Sequence, residues 1–172
     1  MAFRTLNSIT HVTLSSIFHL PNFSEYCFQM LAPVVLAENG DHNESAHVDG
    51  LGWARVKHQA LVGNSGNMLA AGLYLSIVLQ HSDTETDGDF AAVTDQELLE
   101  ETFDDAASGR LALINVPAED QVVVNAEYKQ SHPNAKRYTR LSFVQVGNHA
   151  NGIPCGAIGT KYHPETPNAD EY

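Results

Sequence analysis

Cations are scarce in this chain of 172 residues. Nine Lys and Arg stand against 21 Asp and Glu, for a formal net charge of −12 at pH 7. So acidic a surface repels phosphate backbones, which argues against nucleic acid as a partner. Cysteine is almost absent. Cys27 and Cys155 lie near opposite ends, outside any CxxC or Cys/His cluster. Two such residues do not make a disulfide scaffold; each reads as a buried free thiol, with a bridge between them left open. Assembly in a reducing cytoplasm follows. No stretch approaches about 18 uninterrupted apolar residues, so no membrane span is expected. Polar residues Asn7, Ser8, Thr10, His11, Thr13, Ser15 and Ser16 interrupt the first twenty positions, so no signal peptide is expected either.

Motifs of catalysis are equally sparse. GxSxG does not occur, and no GK[ST] follows Gly63-Asn64-Ser65-Gly66, so neither a nucleophile elbow nor a phosphate loop is present. Nine histidines are spread along the chain without HxH or HExxH; His42 and His47, near Glu44 and Asp49, form a weak metal-binding possibility. His81 reads as a structural hydrogen-bonding residue at a strand end. The expectation is a protein that is not an enzyme and needs no cofactor.

What the chain does contain is short stretches of period-two alternation. Leu73–Gln80 places Leu73, Leu75, Ile77 and Leu79 on one face, then stops in SDTETDGD. Tyr138–Val146 alternates likewise, and these two are read as the central strands of one sandwich. Trp53–Val62 sets Ala54, Val56, Ala60 and Val62 against Arg55, Lys57 and Gln59. Further strands are expected at Met30–Leu36, demoted to an edge by Pro33, and at Phe90–Val93, Leu111–Val116, Gln121–Tyr128 and Ile153–Tyr162. Residues 37–50 read as a polar loop, 63–72 as a long hairpin connection and 118–120 as a turn. Thr94 with Glu97 resembles a capping box, predicting one helix over 95–106 that stops near Gly109. The fold class is therefore all-β, an antiparallel β-sandwich or jelly roll with that single short helix. A chain of this length buries roughly 70% of its unfolded surface, enough for a core without a metal or disulfide.

Three parts are expected: an arm over 1–29, the sandwich over 30–165 and a polar tail over 166–172. The arm holds Phe3, Phe18, Phe23, Tyr26 and Phe28, with β-like alternation from Thr10 to Phe18. It reads either as a partner-binding extension or as an added edge strand. Lys136, Arg137 and Arg140 gather three of the nine cations; they read as a docking patch or as ion partners for the domain's own carboxylates. Asp83, Glu85, Asp87 and Asp89 alternate like the first half of a calcium loop, but position twelve is Thr94, where that loop needs a bidentate Glu. A solvated acidic turn is the plainer reading.

The order APVVL (32–36), VDGLGWARVKHQALVG (48–63), LSIVLQHSD (75–83), FAAVTDQEL (90–98), YKQ (128–130), KRYTRLSFVQVG (136–147) and GIPCGAIGTKYHP (152–164) resembles a family of small tailed-phage virion and head-accessory proteins. The most specific parts are LQHSD followed by FAAVTD, and the KRYTRL strand. The longer acidic turn and the arm depart from that pattern. The resemblance implies a bacteriophage structural protein of the capsid decoration type, made in the host cytoplasm and located on the phage head. Its implied partners are the major capsid protein and further copies of itself in a homo-oligomer, trimers being frequent among such proteins. It carries over no catalytic residue. The same strands are also similar to discoidin-like carbohydrate-binding sandwiches, which implies a second reading: a receptor- or glycan-binding module of a tail or head fibre, using Trp53, Tyr128 or Tyr138 as an aromatic platform.

Overall fold

The computed structural model describes residues 25–36, 42–100, 103–116 and 122–164, with backbone alone for 25–36 and 42–43. Ten strands follow in order: β1 Glu25–Leu36, β2 His42–Glu44, β3 Val48–Asp49, β4 Trp53–Val62, β5 Tyr74–Ser82, β6 Ala91–Ala92, β7 Arg110–Ile114, β8 Val123–Lys129, β9 Tyr138–Val146 and β10 Ile153–Pro164. They form two antiparallel sheets, one ordered β1-β10-β4-β8, the other built on the central pair β9 and β5. In the second sheet each outer edge is made of two short pieces. β2 and β3 share the free side of β9; β6 and β7 share that of β5. Short, interrupted edges offer poor templates for unwanted pairing. The mainly β, sandwich-like architecture is the expected one.

Alternation decides which residues enter the core. Leu75, Ile77 and Leu79 of β5 lie beside Leu141 and Phe143 of β9, and they pack with Val56 and Ala60 of β4, Ala126 and Tyr128 of β8, and Ile153, Cys155 and Ala157 of β10. Burial pushes the Cys155 thiol up to about 12, which leaves it protonated and inert. Cys27 stands opposite Thr160 and Cys155 opposite Val34. The two are thus five residues apart along β10, about 17 Å, whereas a bridge needs Cα atoms within about 7 Å. The open question of a disulfide closes against it.

Three sequence expectations change. The helix over 95–106 is absent. Gln96–Leu98 makes one 3-10 turn, Leu99 is extended, and a second 3-10 turn covers Ala106–Ser108. The cap falls on Asp95, not Thr94: its Oδ1 accepts the Glu97 N–H at 3.0 Å. The chain then turns to the open edge of β8, where Leu99 bridges Tyr128 and the Glu100 N–H donates to the Glu127 carbonyl. Pairing there satisfies edge groups and buries Leu98 and Leu99, which an isolated short helix could not match. Second, 63–72 is no hairpin, because β4 and β5 belong to different sheets. It crosses between them beside 147–152, which makes the return crossing, and the two are laced by Gly66 N–H to Gly152 O and by Asn151 Nδ2 to Gly66 O. Third, β1 begins at Glu25, so Tyr26 and Phe28, placed in the arm from sequence, pair opposite Lys161 and Gly159. As Pro33 implied, β1 is an edge strand, and its register shifts between Gln29 and Leu31 and between Leu31 and Val34. The expected strand at 10–18, the turn at 118–120 and the tail at 166–172 lie outside the described residues.

Candidate functional site

The end of β5, the short β6 and the start of β9 lie side by side. Gln80 pairs with both Arg140 and Ala92, His81 with both Thr139 and Ala91, and Ser82 with Tyr138. The segments LQHSD, FAAVTD and KRYTRL, which carry the most specific part of the resemblance, therefore build one patch.

Parity along the strands divides this patch into two layers. On the outer face, Arg140 is 7% exposed in its side chain while its partner Asp87 is 92% exposed. The guanidinium donates from Nε to Gln80 Oε1 at 2.8 Å, from Nη1 to Asp87 Oδ1 at 2.7 Å and from Nη2 to the Asp87 carbonyl at 3.3 Å. It also lies 4.1 Å from the centroid of the Phe90 ring. A planar, delocalised cation suits both tasks. Arg137 makes a two-point pair with Asp49, at 3.0 and 2.7 Å, and caps the Tyr138 ring at 4.9 Å. Its hydrogen bonds hold the Asp49 carboxyl below the usual carboxylate range. Lys136 Nζ reaches Asp83 Oδ2 at 3.2 Å. His47 meets Tyr138 edge-on at 5.2 Å and Phe90 at 6.2 Å.

On the inner face two hydrogen bonds join the sheets. His58 Nε2 and Thr139 Oγ1 are 2.9 Å apart, and His81 Nδ1 and Tyr128 Oη are 2.9 Å apart. The Lys136 N–H donates to the same Tyr128 oxygen at 2.9 Å. The Tyr128 hydroxyl thus serves two partners at once, the Lys136 N–H and His81 Nδ1. Burial pushes Tyr128 up to about 12 and His58 down to about 3.

The four acidic-turn carboxylates go to separate partners. Asp83 pairs with Lys136, Asp87 pairs with Arg140, and Asp89 accepts from Thr84 at 2.5 Å, while burial and then the Glu85 carboxylate push the Tyr138 phenol up. Among the described residues no three His, Cys, Asp or Glu side chains converge as a cation-binding group. The plainer reading of this stretch, an acidic turn, fits that geometry. His47, weighed as a ligand, lies against the Tyr138 and Phe90 rings. Lys136, Arg137 and Arg140 are each held by the domain's own carboxylates, which leaves little free positive charge for a partner. Of the three aromatic residues weighed for a platform, Tyr128 is fully buried and Tyr138 is 5% exposed, while Trp53 is half-buried with the Lys161 ammonium 5.5 Å from its ring centroid. Phe3, Phe18 and Phe23 lie outside the described residues. Sequence reading missed Asp49, Gln80 and Phe90 as partners; the alternation of Gln80 with His81 was the one available signal. No protein-family model matches the chain, and no curated protein matches it.

Proposed function

We propose that this chain is a structural, non-enzymatic component of a tailed-phage virion, a capsid decoration or cement protein that docks on the head lattice of the major capsid protein and braces it. The observation that carries the reading is the convergence of LQHSD, FAAVTD and KRYTRL on one interlocked patch. Segments far apart in sequence resemble the family most where they touch each other in space. Self-paired cations leave an acidic, rigid body, suited to a basic or mixed lattice surface. Repetition on a lattice makes weak single contacts sufficient. The glycan-binding reading gains no support, because Tyr128 and Tyr138 point their rings into packed surroundings. The deciding experiment is the copy number of the protein in purified particles by quantitative mass spectrometry. Lattice numbers are expected. A handful of copies per particle would place it in the tail or neck, and its absence from particles would end the proposal.

A further inference from the structure

On one side of the sandwich the edge strands of opposite sheets face each other. There β7 and β8 border a groove of about 300 Å³, walled by Leu111, Ala112, Leu113 and Ile114 on one side and Val122 and Val124 on the other, with Asp104 beside them. The late part of β8 is occupied by Leu99 and Glu100, but among the described residues no strand pairs with the outer edge of Val123–Asn125. Among the described residues β7 pairs with β5, apart from the bridge between Arg110 and Asp105. Apolar surface gathers around the same side. Of the five large hydrophobic residues left exposed among the described residues, Val116 follows β7, Val123 begins β8, and Leu61 pairs with Val123. Leu61 and Val123 lie on the outer face of their sheet and Val124 on the inner, so a strand added at the open β8 edge would meet the apolar groove on one face and border Val123 on the other.

We propose that this groove receives residues 10–18 of a second copy of the chain as an added strand. Thr10–Phe18 alternates Val12, Leu14, Ser16 and Phe18 and carries no Lys, Arg, Asp or Glu. Its length, about 30 Å when extended, exceeds the roughly 17 Å of a five-residue strand such as β7. The reach of the arm selects a neighbour over the chain's own groove. Phe18 lies seven residues before Glu25, a span of at most about 24 Å. Glu25 sits on the far edge of its sheet, level with Lys129 through Tyr162 and Arg55. From there Val124 is three strand spacings across and five residues along, about 22 Å in a line that passes through the sheet itself. A chain that must travel around the sheet cannot cover that and still enter the groove. A neighbouring copy imposes no such limit, and exchange of an identical segment between protomers is a low-cost route to a closed assembly. The inference concerns the free chain and stands apart from the virion reading.

Sedimentation equilibrium of the full chain tests it. An assembly of two or more copies is expected. Leu14→Lys in the arm, and Ala112→Arg or Val124→Lys in the groove walls, are each expected to weaken self-association at least about tenfold. Leu51→Lys, exposed before Trp53 at the end of β4 opposite the Leu61–Val123 pair, leaves the mass unchanged. Circular dichroism shows which variants are folded, and the two wall variants guard against one failing to fold. Mixing chains that carry Ser16→Cys with chains that carry Val124→Cys is expected to give a disulfide-linked heterodimer. A monomeric full chain overturns the proposal. So does a folded Leu14→Lys or wall variant that keeps the parent mass, or a mixture that forms no cross-link.

Discussion

His58 of β4 and Thr139 of β9 share a hydrogen bond of 2.9 Å across the space between the two sheets. Thr139 stands opposite His81 in the β5–β9 pair, and His81 makes the second such bond, to Tyr128 of β8. The sheets are thus tied by polar contacts inside a mainly apolar core, and both ties involve a histidine that burial holds neutral.

Stability should therefore fall in mild acid. The His58 imidazole is pushed from 6.5 down to about 3 by burial. Between those values the unfolded chain takes up a proton that the folded chain refuses. The contribution is full above pH 6.5 and is lost progressively as pH falls towards 3, to the order of 4 kcal/mol at the bottom of the window. Denaturant titrations at several pH values measure this. His58→Gln, which keeps a hydrogen-bonding side chain but does not titrate, is expected to flatten the slope.

Tyr128→Phe removes one oxygen and strands two groups, His81 Nδ1 and the Lys136 N–H. The expected cost is about 1–3 kcal/mol in the denaturant midpoint. Hydrogen exchange at the Lys136 amide should accelerate in the same variant, because its acceptor is gone.

Arg140→Lys is expected to behave nearly as badly as Arg140→Ala. A lysine cannot hold Gln80 and Asp87 at once while lying on Phe90. The acidic turn should loosen, which limited proteolysis would reveal as faster cleavage within 83–89. The Arg137–Asp49 pair, although two-pronged, is about two-fifths exposed on each side. A double-mutant cycle there should give little or no measurable coupling.

Gly147→Ala should be costly for a backbone reason. Gly147 has φ +86°, and a Cβ there would lie 2.4 Å from the Gly72 carbonyl oxygen. Strain of this kind costs about 1–3 kcal/mol before any displacement of the 63–72 crossing is counted. Thermal melting is the measurement.

Truncation separates arm from domain. Removing 1–24 leaves β1 whole, and on the proposed capsid-decoration reading the product should fold yet fail to bind phage heads in a particle pull-down. Removing 1–29 takes the first five residues of β1 as well and should lower the melting temperature. Full head occupancy by the shorter truncation would dismiss the arm as the anchor.

The strands that were legible share one property: their alternation is uninterrupted. Trp53–Val62 and Tyr138–Val146 match β4 and β9 residue for residue. β2 and β3 were hidden in a polar loop because two or three residues are too few to show a period. The missing helix shows the opposite failure, a strong local signal at Thr94–Glu97 overruled by the β8 edge, contributed from about thirty residues away. The same distance problem obscured the site. Its cations are adjacent in sequence and were easily found; Asp49, Gln80 and Asp87, which neutralise or orient them, come from 53 to 88 positions upstream.

β10, last of the described strands, is not at a margin of its sheet but in its middle, inserted between β1 and β4. On the ribosome, β1 and β4 must wait without their common neighbour until Pro164 has cleared the exit tunnel. A nascent chain stalled even a dozen residues early would display two bare strand flanks, so incomplete translation products should be the aggregation-prone and chaperone-bound form of this protein.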